Sequence, residues 1–361
     1  MMKMLNSLKS LTEDEILGRA MGALEACLAD VPFCRVAFDP PQPSDADRGI
    51  DSSGRFVLRD RAVAFALEAK RIGQPRFARE AAYNLRRYGS LNPDVYGIFV
   101  APFVAEEAAK ILDAEGMGYV DLSGNCRLCF DDVYVRRTGN ENRFARRRDL
   151  RSLFSPKSER VLRVLLIDPA RSWKVQDLAN ATKVSLGQVS NVKRNLENRE
   201  WVIRSETGIR LSKPERLLSE WKDNYDLARS QRRDYFTLDR LERFEARLAE
   251  LMSRTKRDYA LTAFSAAARF APAVRYQRAY AYVTDAPERV AQELELKPVE
   301  SGANVTLIEP YDEGVYLGAA DKGGASVVSP VQAYLDLSKL RGRGEEAAEA
   351  LLREVIRPSW Q

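Results

Sequence analysis

Apolar residues recur at helical spacing in three successive stretches near the middle of the chain. The first covers Glu159–Ile167 and stops at Asp168-Pro169, because proline cannot continue a helix. The second covers Lys174–Thr182, and the third follows Ser185 and runs to about Arg199. In the third stretch the apolar residues lie on one helix face: Leu186, Val189, Val192 and Leu196. The pattern predicts three short helices that share a core.

Two features flank the third helix. Ser185 stands where an N-cap belongs and Gln188 follows three residues later, which is a capping-box pattern. After the helix, two β-prone runs at 201–204 and 209–211 enclose a glycine-containing turn and predict a hairpin. A hairpin in this place is a wing, and a further helix from Pro214 to Tyr225 closes the unit. We therefore predict a winged helix-turn-helix domain at residues 158–225.

The outer face of the third helix is polar and basic, which suits base edges and phosphates in the major groove of DNA. Basic residues of the hairpin are positioned to contact phosphates. The candidate DNA-binding residues are the polar and basic side chains of these two elements: Ser185, Gln188, Ser190, Asn191, Lys193, Arg194, Arg204, Thr207, Arg210 and Lys213. We expect Gln188, Ser190, Asn191 and Arg194 to read bases. The alternative is that the unit mediates protein contacts only.

Charge is distributed unevenly along the 361 residues, whose formal net charge is +5. Residues 136–222 hold 21 Lys or Arg and 10 Asp or Glu, a net charge of +11, so the rest of the chain has a net charge of −6. A basic module within an acidic body is typical of a nucleic-acid-binding protein. Further candidate phosphate contacts are Arg76 and, in a basic linker at 143–157, Arg146, Arg147 and Arg148. For the linker, the alternative is a solvated run of charge.

Composition excludes several classes of chemistry. The chain has no histidine, which excludes histidine metal sites, histidine general bases and Ser-His triads. No apolar run approaches the roughly 18 residues of a membrane span. Charge interrupts the N-terminus too early for a secretory signal. We therefore expect a cytoplasmic protein with no membrane segment.

Four cysteines lie in the first third of the chain: Cys27, Cys34, Cys126 and Cys129. A four-cysteine zinc site is one interpretation. However, Cys126 and Cys129 fall in a strand-like run, where residues three apart face opposite sides of a sheet. We therefore expect free cysteines in the core and no metal.

The first third of the chain follows the order α-β-β-β-α-β, which is that of the restriction-endonuclease core. The predicted elements are a helix at 11–29, a strand at 31–38, a hairpin at 55–70 that turns near Asp60, a helix at 75–88, a strand at 95–101, a helix at 105–115 and two strands within 118–137.

Residues Leu67–Arg76, with the sequence LEAKRIGQPR, are similar to the E-x-K strand and following helix of the PD-(D/E)xK nuclease superfamily. Glu68 and Lys70 are two residues apart, so both point to the same strand face. In that superfamily the Glu and a preceding Asp hold Mg²⁺, and the Lys orients a water that attacks phosphate. The resemblance implies a restriction-endonuclease-like α/β domain at residues 1–142.

The metal-binding Asp of that superfamily is expected near Arg55 in this chain. Asp51, the nearest upstream acid, lies in a Ser-Gly loop. We therefore expect an inactive domain, without a cofactor, that serves DNA binding, sensing or scaffolding. One alternative is a Mg²⁺-dependent DNA nuclease with Glu68, Lys70 and Asp51 as catalytic residues. Another is an unrelated α/β domain in which Glu68 and Lys70 form a surface pair.

Several segments of the last third resemble the AbiEi-type antitoxin and transcriptional-regulator family: Leu261–Ala268, Gly302–Thr306, Ser329–Leu337 and Arg341–Glu345. The resemblance covers about the last 200 residues. In that family a winged helix precedes this kind of domain and the protein represses its own operon. The pattern predicts a C-terminal α/β domain at 226–361, with strands at 278–283, 305–308, 314–318 and 326–328 and a last helix at 344–356.

The sequence thus predicts a mixed α+β chain of several domains. We expect a sequence-specific, double-stranded-DNA-binding transcriptional regulator, a repressor of its own operon, that forms a homo-oligomer such as a dimer. The alternatives are a Mg²⁺-dependent nuclease targeted by its winged helix and the antitoxin of a toxin–antitoxin operon.

Overall fold

The structure is a computed structural model that describes residues 11–40, 49–144, 153–271 and 276–361. The chain divides into two units. The first comprises Met1–Leu150 and Glu197–Glu200, and the second comprises Arg151–Leu196 and Trp201–Gln361. Among the described helices, none is long and apolar enough to cross a membrane.

The alternating pattern of the first third forms a β-sheet that has seven strands within the described residues, arranged in chain order. The antiparallel strands β1 (Arg35–Phe38), β2 (Ser52–Val57) and β3 (Ala62–Ala69) come first. The parallel strands β4 (Tyr96–Ala101) and β5 (Gly118–Asp121) follow. The antiparallel strands β6 (Cys126–Phe130) and β7 (Val133–Arg137) complete the sheet.

Helices cover both faces of this sheet. α1 (Glu13–Cys27) begins with a capping box, in which Thr12 and Glu15 exchange side-chain-to-backbone hydrogen bonds. The buried face of α1 packs in one apolar cluster, whereas α2 (Pro75–Leu91) and α3 (Glu106–Ala114) pack in another. Successive residues of β3 and β4 belong alternately to the two clusters, so α1 lies on one face of the sheet and α2 and α3 lie on the other.

The predicted order α-β-β-β-α-β is observed. The prediction of two strands within 118–137 was incomplete, because the structure has three there. β6 and β7 are joined by a tight turn in which Asp131 has a φ of +49°. An aspartate tolerates this left-handed conformation better than most residues, and the pair Asp131-Asp132 between two apolar runs is the signal in the sequence for the break.

The cysteines differ from the prediction of free thiols. Cys27, at the end of α1, forms a disulfide with Cys126, at the start of β6. Both belong to the cluster between α1 and the sheet, which brings them together across 99 residues of sequence. Cys34 is free and buried, and Cys129 is free and exposed. The disulfide uses two of the four thiols that the zinc interpretation needed, so that interpretation was wrong.

In the second unit, the predicted helices and hairpin near the middle of the chain are present. They are α4 (Pro156–Ile167), α5 (Val175–Thr182), α6 (Leu186–Asn198), the hairpin β8 (Val202–Ser205) and β9 (Gly208–Leu211), and α7 (Pro214–Asn224). α5 ends at Lys183, whose φ of +52° turns the chain toward α6.

A mixed sheet follows, with the strand order β13-β10-β14-β12-β11-β16-β15 among the described residues. Its strands are β10 (Gln231–Phe236), β11 (Tyr259–Leu261), β12 (Ala279–Val283), β13 (Lys297–Pro298), β14 (Val305–Glu309), β15 (Ala320–Asp321) and β16 (Ser326–Val327). The helices around it are α8 (Leu241–Thr255), α9 (Ala263–Phe270), α10 (Pro287–Glu293), α11 (Pro330–Leu337), α12 (Gly344–Leu351), which continues as a π-helical turn at Leu352–Ile356, and α13 (Arg357–Ser359).

The predicted strand at 314–318 was wrong. The segment forms a 3₁₀ helix, Glu313–Tyr316. The carboxylate of Asp312 accepts a hydrogen bond from the backbone N of Gly314 at 2.8 Å, and such a side-chain cap favours a turn over a strand.

The helices of the second unit and its C-terminal sheet share one hydrophobic core. Leu162 of α4, Val192 of α6, Trp221 of α7 and Tyr282 of β12 belong to the same buried cluster. The indole N of Trp360 also donates to the backbone oxygen of Leu166 at 2.8 Å. The predicted boundary at residue 225 is therefore not a break in the core.

A buried polar centre lies within this core, around the fully buried carboxylate of Asp336. The hydroxyls of Tyr225 and Tyr282 donate to its Oδ1 at 2.6 and 2.9 Å. The amide of Gln332 donates to the same atom at 2.9 Å, and Thr262 donates to Oδ2. Burial raises the pKa of Asp336, more than these hydrogen bonds lower it.

We expect the Asp336→Asn substitution to change the pH dependence of stability. Because the pKa of Asp336 is raised in the folded state, that state keeps the proton to a higher pH than the unfolded state does. The free energy of unfolding therefore falls as pH rises above the usual aspartate value of about 3.9. In the variant this contribution is absent, since asparagine does not titrate.

The measurement is urea denaturation of both proteins at a series of pH values. The exposed Asp223 of α7 provides a matched control as Asp223→Asn. A difference between the native protein and Asp336→Asn that does not vary with pH would contradict the assignment.

Candidate nucleic-acid interface and a buried acid–lysine pair

Helix α6 buries one face and exposes the other. Its buried residues are Val189, Val192 and Leu196. Asn191 and Arg194 are exposed, and Ser190 and Lys193 are partly exposed. Nη2 of Arg194 donates to Oδ1 of Asn191 at 3.3 Å, so the two side chains are neighbours on the outer surface. An amide beside a guanidinium provides the groups that pair with adenine and guanine edges in a major groove.

Two contacts fix the start of α6. Oγ of Ser185 accepts a hydrogen bond from the backbone N of Gln188 at 3.3 Å, as the N-cap pattern predicts. The side-chain amide of Gln188 donates to Oγ of Ser158 in α4 at 2.7 Å. Gln188 is therefore partly buried against α4, which differs from the expectation that it faces DNA together with Asn191 and Arg194.

The hairpin β8–β9 is joined to the helices by a β-bridge. Trp173, which precedes α5, exchanges backbone hydrogen bonds with Ile209 at 2.8 and 2.9 Å. Gly208 permits this approach, because its φ is +147° and a Cβ there would lie 2.1 Å from the backbone oxygen of Trp173. The hairpin is thus held in a fixed position beside α5.

The candidate residues of the hairpin and of the start of α7 are exposed: Arg204, Thr207, Arg210 and Lys213. Cross-strand partners share one face of a hairpin. Arg204 pairs with Ile209, which is buried, whereas Arg210 pairs with the exposed Ile203. Arg204 and Arg210 therefore belong to opposite faces of the hairpin. Of the two, only Arg210 lies on the outer face, which points away from the hydrophobic core.

The remaining candidate phosphate contacts lie elsewhere. Arg146, Arg147 and Arg148 lie outside the described residues. Arg76 is exposed on α2 of the first unit, where its guanidinium lies 5.7 Å from the centre of the Phe77 ring.

Glu68 of β3 and Lys70, which directly follows this strand, are brought together as the spacing predicts. Nζ of Lys70 lies 2.8 Å from Oε1 of Glu68 and 3.5 Å from Oε1 of Glu80. Nδ2 of Asn84 in α2 donates to the same oxygen of Glu68 at 2.9 Å. Glu68 is only 3% exposed, so the interpretation of a surface pair was wrong.

Burial raises the pKa of Glu68, more than the hydrogen bonds from Lys70 and Asn84 lower it. Burial lowers the pKa of Lys70, but the hydrogen bond and charge of Glu68 outweigh that effect and leave it raised. A buried carboxyl group with a raised pKa beside a charged lysine is an arrangement found often at functional sites.

Asp51, which the sequence places in a Ser-Gly loop, lies beside this pair, as the nuclease alternative requires. Its backbone N donates to the oxygen of Leu67, the cross-strand partner of Ser52, so Asp51 lies directly before β2 and beside the end of β3. Its carboxylate accepts a hydrogen bond from the backbone N of Ala69 at 2.7 Å, and its charge contributes to the raised pKa of Glu68. Arg55 pairs instead with Asp39 at 3.0 Å. The acid that accompanies Glu68 is therefore Asp51.

A Mg²⁺ ion in a protein needs one or two carboxylates and keeps several waters. Asp51 and Glu68 meet this minimum. In the part of the chain that the structure describes, no group of three or more acidic, cysteine or histidine side chains is arranged to hold a metal. Among the described residues, the candidate donors are therefore these two carboxylates, one of which also pairs with Lys70.

A set of charged residues in α4 is buried, although the sequence pattern did not predict it. Glu159, Arg160 and Arg163 are 1%, 4% and 1% exposed, and they contact the C-terminal part of the second unit. The one signal in the sequence is that these charged residues interrupt a helix whose other positions are almost all apolar. The identity of their partners, more than 60 residues away, has no sequence signal.

Comparison with known proteins concerns the last part of this unit. Residues 210–357 match the family model described as AbiEi_2, transcriptional regulator, AbiEi antitoxin, Type IV TA system. No curated protein and no solved structure matches the chain. The matched segment runs from β9 to the start of α13 and contains the C-terminal sheet, so this part of the chain is similar to a family of antitoxins that are transcriptional regulators.

Proposed function

We propose that this protein is a sequence-specific, double-stranded-DNA-binding transcriptional regulator that represses its own operon through a winged helix-turn-helix at residues 158–225. The observation that carries the proposal is the outer face of α6, where Asn191 and Arg194 are exposed side by side while the opposite face is buried. α5, the turn and α6 then act as the helix-turn-helix, and β8–β9 acts as the wing.

The chemistry of α6 supports reading of bases in the major groove. An asparagine amide pairs with two groups of adenine, and an arginine guanidinium pairs with two groups of guanine. Ser190 lies beside them and either donates or accepts a hydrogen bond. In this arrangement the three side chains determine sequence preference.

Basic residues around α6 support binding to the DNA backbone. Arg210 on the outer face of the hairpin and Lys213 at the start of α7 are exposed. The net charge of +11 on residues 136–222 adds long-range attraction to phosphate. These contacts contribute affinity for any duplex, whereas those of α6 contribute the preference among duplexes.

The family match supports the regulatory part of the proposal. Residues 210–357 are similar to a family described both as transcriptional regulator and as antitoxin. We therefore include the antitoxin role: the protein controls an operon that also encodes a toxin. A toxin gene adjacent to the coding sequence, whose expression is harmful without this protein, would support that role.

The proposal is tested by gel-shift titration of the full-length protein. One duplex carries the DNA directly upstream of its coding sequence, and a second of equal length has random sequence. Tighter binding of the upstream duplex, with both strands intact, supports the proposal. Equal affinity for the two duplexes at every salt concentration would exclude sequence-specific regulation at that site.

We expect Asn191→Ala to weaken binding of the upstream duplex by about 1–3 kcal/mol, because one pair of hydrogen bonds to a base is lost. Binding of random DNA should not change. Lys213→Ala should weaken binding to both duplexes alike and lower the salt dependence by about one phosphate contact.

The matched controls are Asn224→Ala, at the far end of α7, and Lys339→Ala, after α11. Both change exposed residues of the same type outside the proposed interface. If Asn191→Ala lowered affinity for the two duplexes equally, Asn191 would not be a base-reading residue.

A second candidate function is favoured by one observation in the first unit, namely that the carboxylate of Asp51 lies beside Glu68 and accepts a hydrogen bond from the backbone N of Ala69. In this alternative the protein is a Mg²⁺-dependent DNA nuclease. Asp51 and Glu68 would hold the ion, and Lys70, beside Glu68, would hold the attacking water. The bound ion would supply Lewis-acid stabilisation of the phosphate.

If this alternative holds, the protein cuts duplex DNA in the presence of Mg²⁺ and not in EDTA, and Glu68→Gln abolishes cutting. The substitution keeps the size of the side chain and removes its charge. Glu107→Gln, at a partly exposed position of α3, is the control that should cut normally. Cutting by Glu68→Gln at the normal rate, or intact strands with the native protein, would exclude this candidate.

A further inference from the structure

Helix α4 is tied to the C-terminal part of the second unit by buried charges. Burying an arginine is costly unless each of its donors is paired. Nε and Nη2 of Arg160 donate to the two carboxylate oxygens of Asp312 at 2.6 and 2.9 Å, which is a bidentate pair. Nη1 donates to Oε1 of Glu313 at 2.8 Å. Burial raises the pKa of Asp312, but the hydrogen bonds from Arg160 and Gly314 leave it lowered, so the carboxylate stays charged.

The acidic partners of Arg160 belong to one loop, residues 311–318, which we name the docking loop. Two glycines let the docking loop lie against α4. A Cβ at Gly314 would be 2.6 Å from Cγ of Arg160, and a Cβ at Gly318 would be 2.5 Å from Cδ1 of Ile167. The hydroxyl of Tyr311 donates to Glu159. The docking loop therefore contacts α4 from its first turns to its end.

Arg160 also reaches the helix-turn-helix itself. Its Nη1 lies 3.4 Å from the backbone oxygen of Thr182, the last residue of α5. Two residues before Arg160, Ser158 accepts the hydrogen bond from the side chain of Gln188 in α6. One turn of α4 thus contacts the docking loop, the end of α5 and the start of α6.

Resting on the proposed DNA-binding function, we propose that Arg160, Asp312 and Glu313 are positioning residues for base recognition: the docking loop of the C-terminal part sets the pose of α6 through α4. Reading a base edge needs side chains held to within roughly 0.5 Å, which requires support from surrounding residues. The docking loop supplies that support from a segment more than 100 residues away from α6.

A merely structural role predicts a different result from a positioning role. A variant that only destabilises the fold lowers the folded fraction, so its affinities for all duplexes fall by one factor. A variant that only misplaces α6 keeps its phosphate contacts. It therefore keeps its affinity for random DNA and its salt dependence, and loses the preference for one sequence.

The experiment uses the full-length protein with Asp312→Asn and, separately, Arg160→Lys. Lysine keeps the charge of arginine but lacks its two-pronged geometry. The matched control is a second arginine of the same unit that also pairs with two acids. Nη1 of Arg257 lies 2.8 Å from Oδ2 of Asp285 and its Nη2 lies 2.7 Å from Oε2 of Glu293, and neither acid belongs to the docking loop. Its variants are Asp285→Asn and Arg257→Lys.

Each protein is titrated against the upstream duplex and the random duplex at several salt concentrations. We expect Asp312→Asn and Arg160→Lys to lower the ratio of the two affinities by about tenfold, the size expected for one lost base contact. Affinity for random DNA and its salt dependence should stay unchanged, and the control variants should keep the native ratio.

Amide hydrogen exchange without DNA gives an independent reading. In Asp312→Asn we expect faster exchange at the turn before α6 and in its first residues, and not in the sheet of the first unit. If the variants kept the native ratio of affinities and the native rate of amide exchange, the inference would be overturned and the proposed function would stand. A fall of both affinities by one factor would also overturn it. If the native protein bound the upstream and random duplexes equally, both the proposed function and this inference would be wrong.

Discussion

Three charged side chains of one helix leave water when the second unit folds, and each must find its partner inside the protein. Glu159 forms an ion pair with Arg229, and Arg160 forms one with Asp312. The guanidinium of Arg163 donates two hydrogen bonds to the side-chain oxygen of Gln332. Because an unpaired buried charge costs several kcal/mol, α4 is fixed against the loop and helix that hold Asp312 and Gln332. The helices of the proposed DNA-binding segment and the sheet of the regulator-like segment therefore fold as one unit with one core.

The same constraint organises the two polar sites of the chain. Gln332, which pairs with Arg163, also donates to Asp336, so the buried charges of α4 continue into the polar centre of the C-terminal core. In the first unit, Glu68 is desolvated at the end of a central strand and is satisfied by Lys70 and Asn84. One buried network connects two segments of the second unit. The other network brings the side chains of Glu68, Lys70 and Asn84 into contact in the first unit.

Local patterns predicted the elements well, and long-range pairing explains where they failed. The three helices, the hairpin after them and the order of the first unit follow from apolar spacing, from Ser185 as a cap and from Gly208 in the turn, all of which act within a few residues. The strand expected at 314–318 failed because the cap by Asp312 and the contact with α4 outweigh its apolar residues. Gln188 was expected on the outer face, but Ser158, 30 residues earlier, holds it inward. The positions of Asp51 and of the Cys27–Cys126 disulfide depend on strand register and helix packing that no local pattern specifies.

The sequence by itself determined which residues can form α6 and the hairpin after it, that the exposed face of this helix is polar and basic, and that histidine-dependent chemistry is excluded. These follow from residue chemistry and from periods of two and 3.6 residues, which are local properties of the chain. Only the tertiary structure decided which acid accompanies Glu68, which way Gln188 turns and which loop supports α4. Each of these is a contact between segments distant in sequence, selected because burial makes an unpaired polar group costly and packing leaves few positions for its partner.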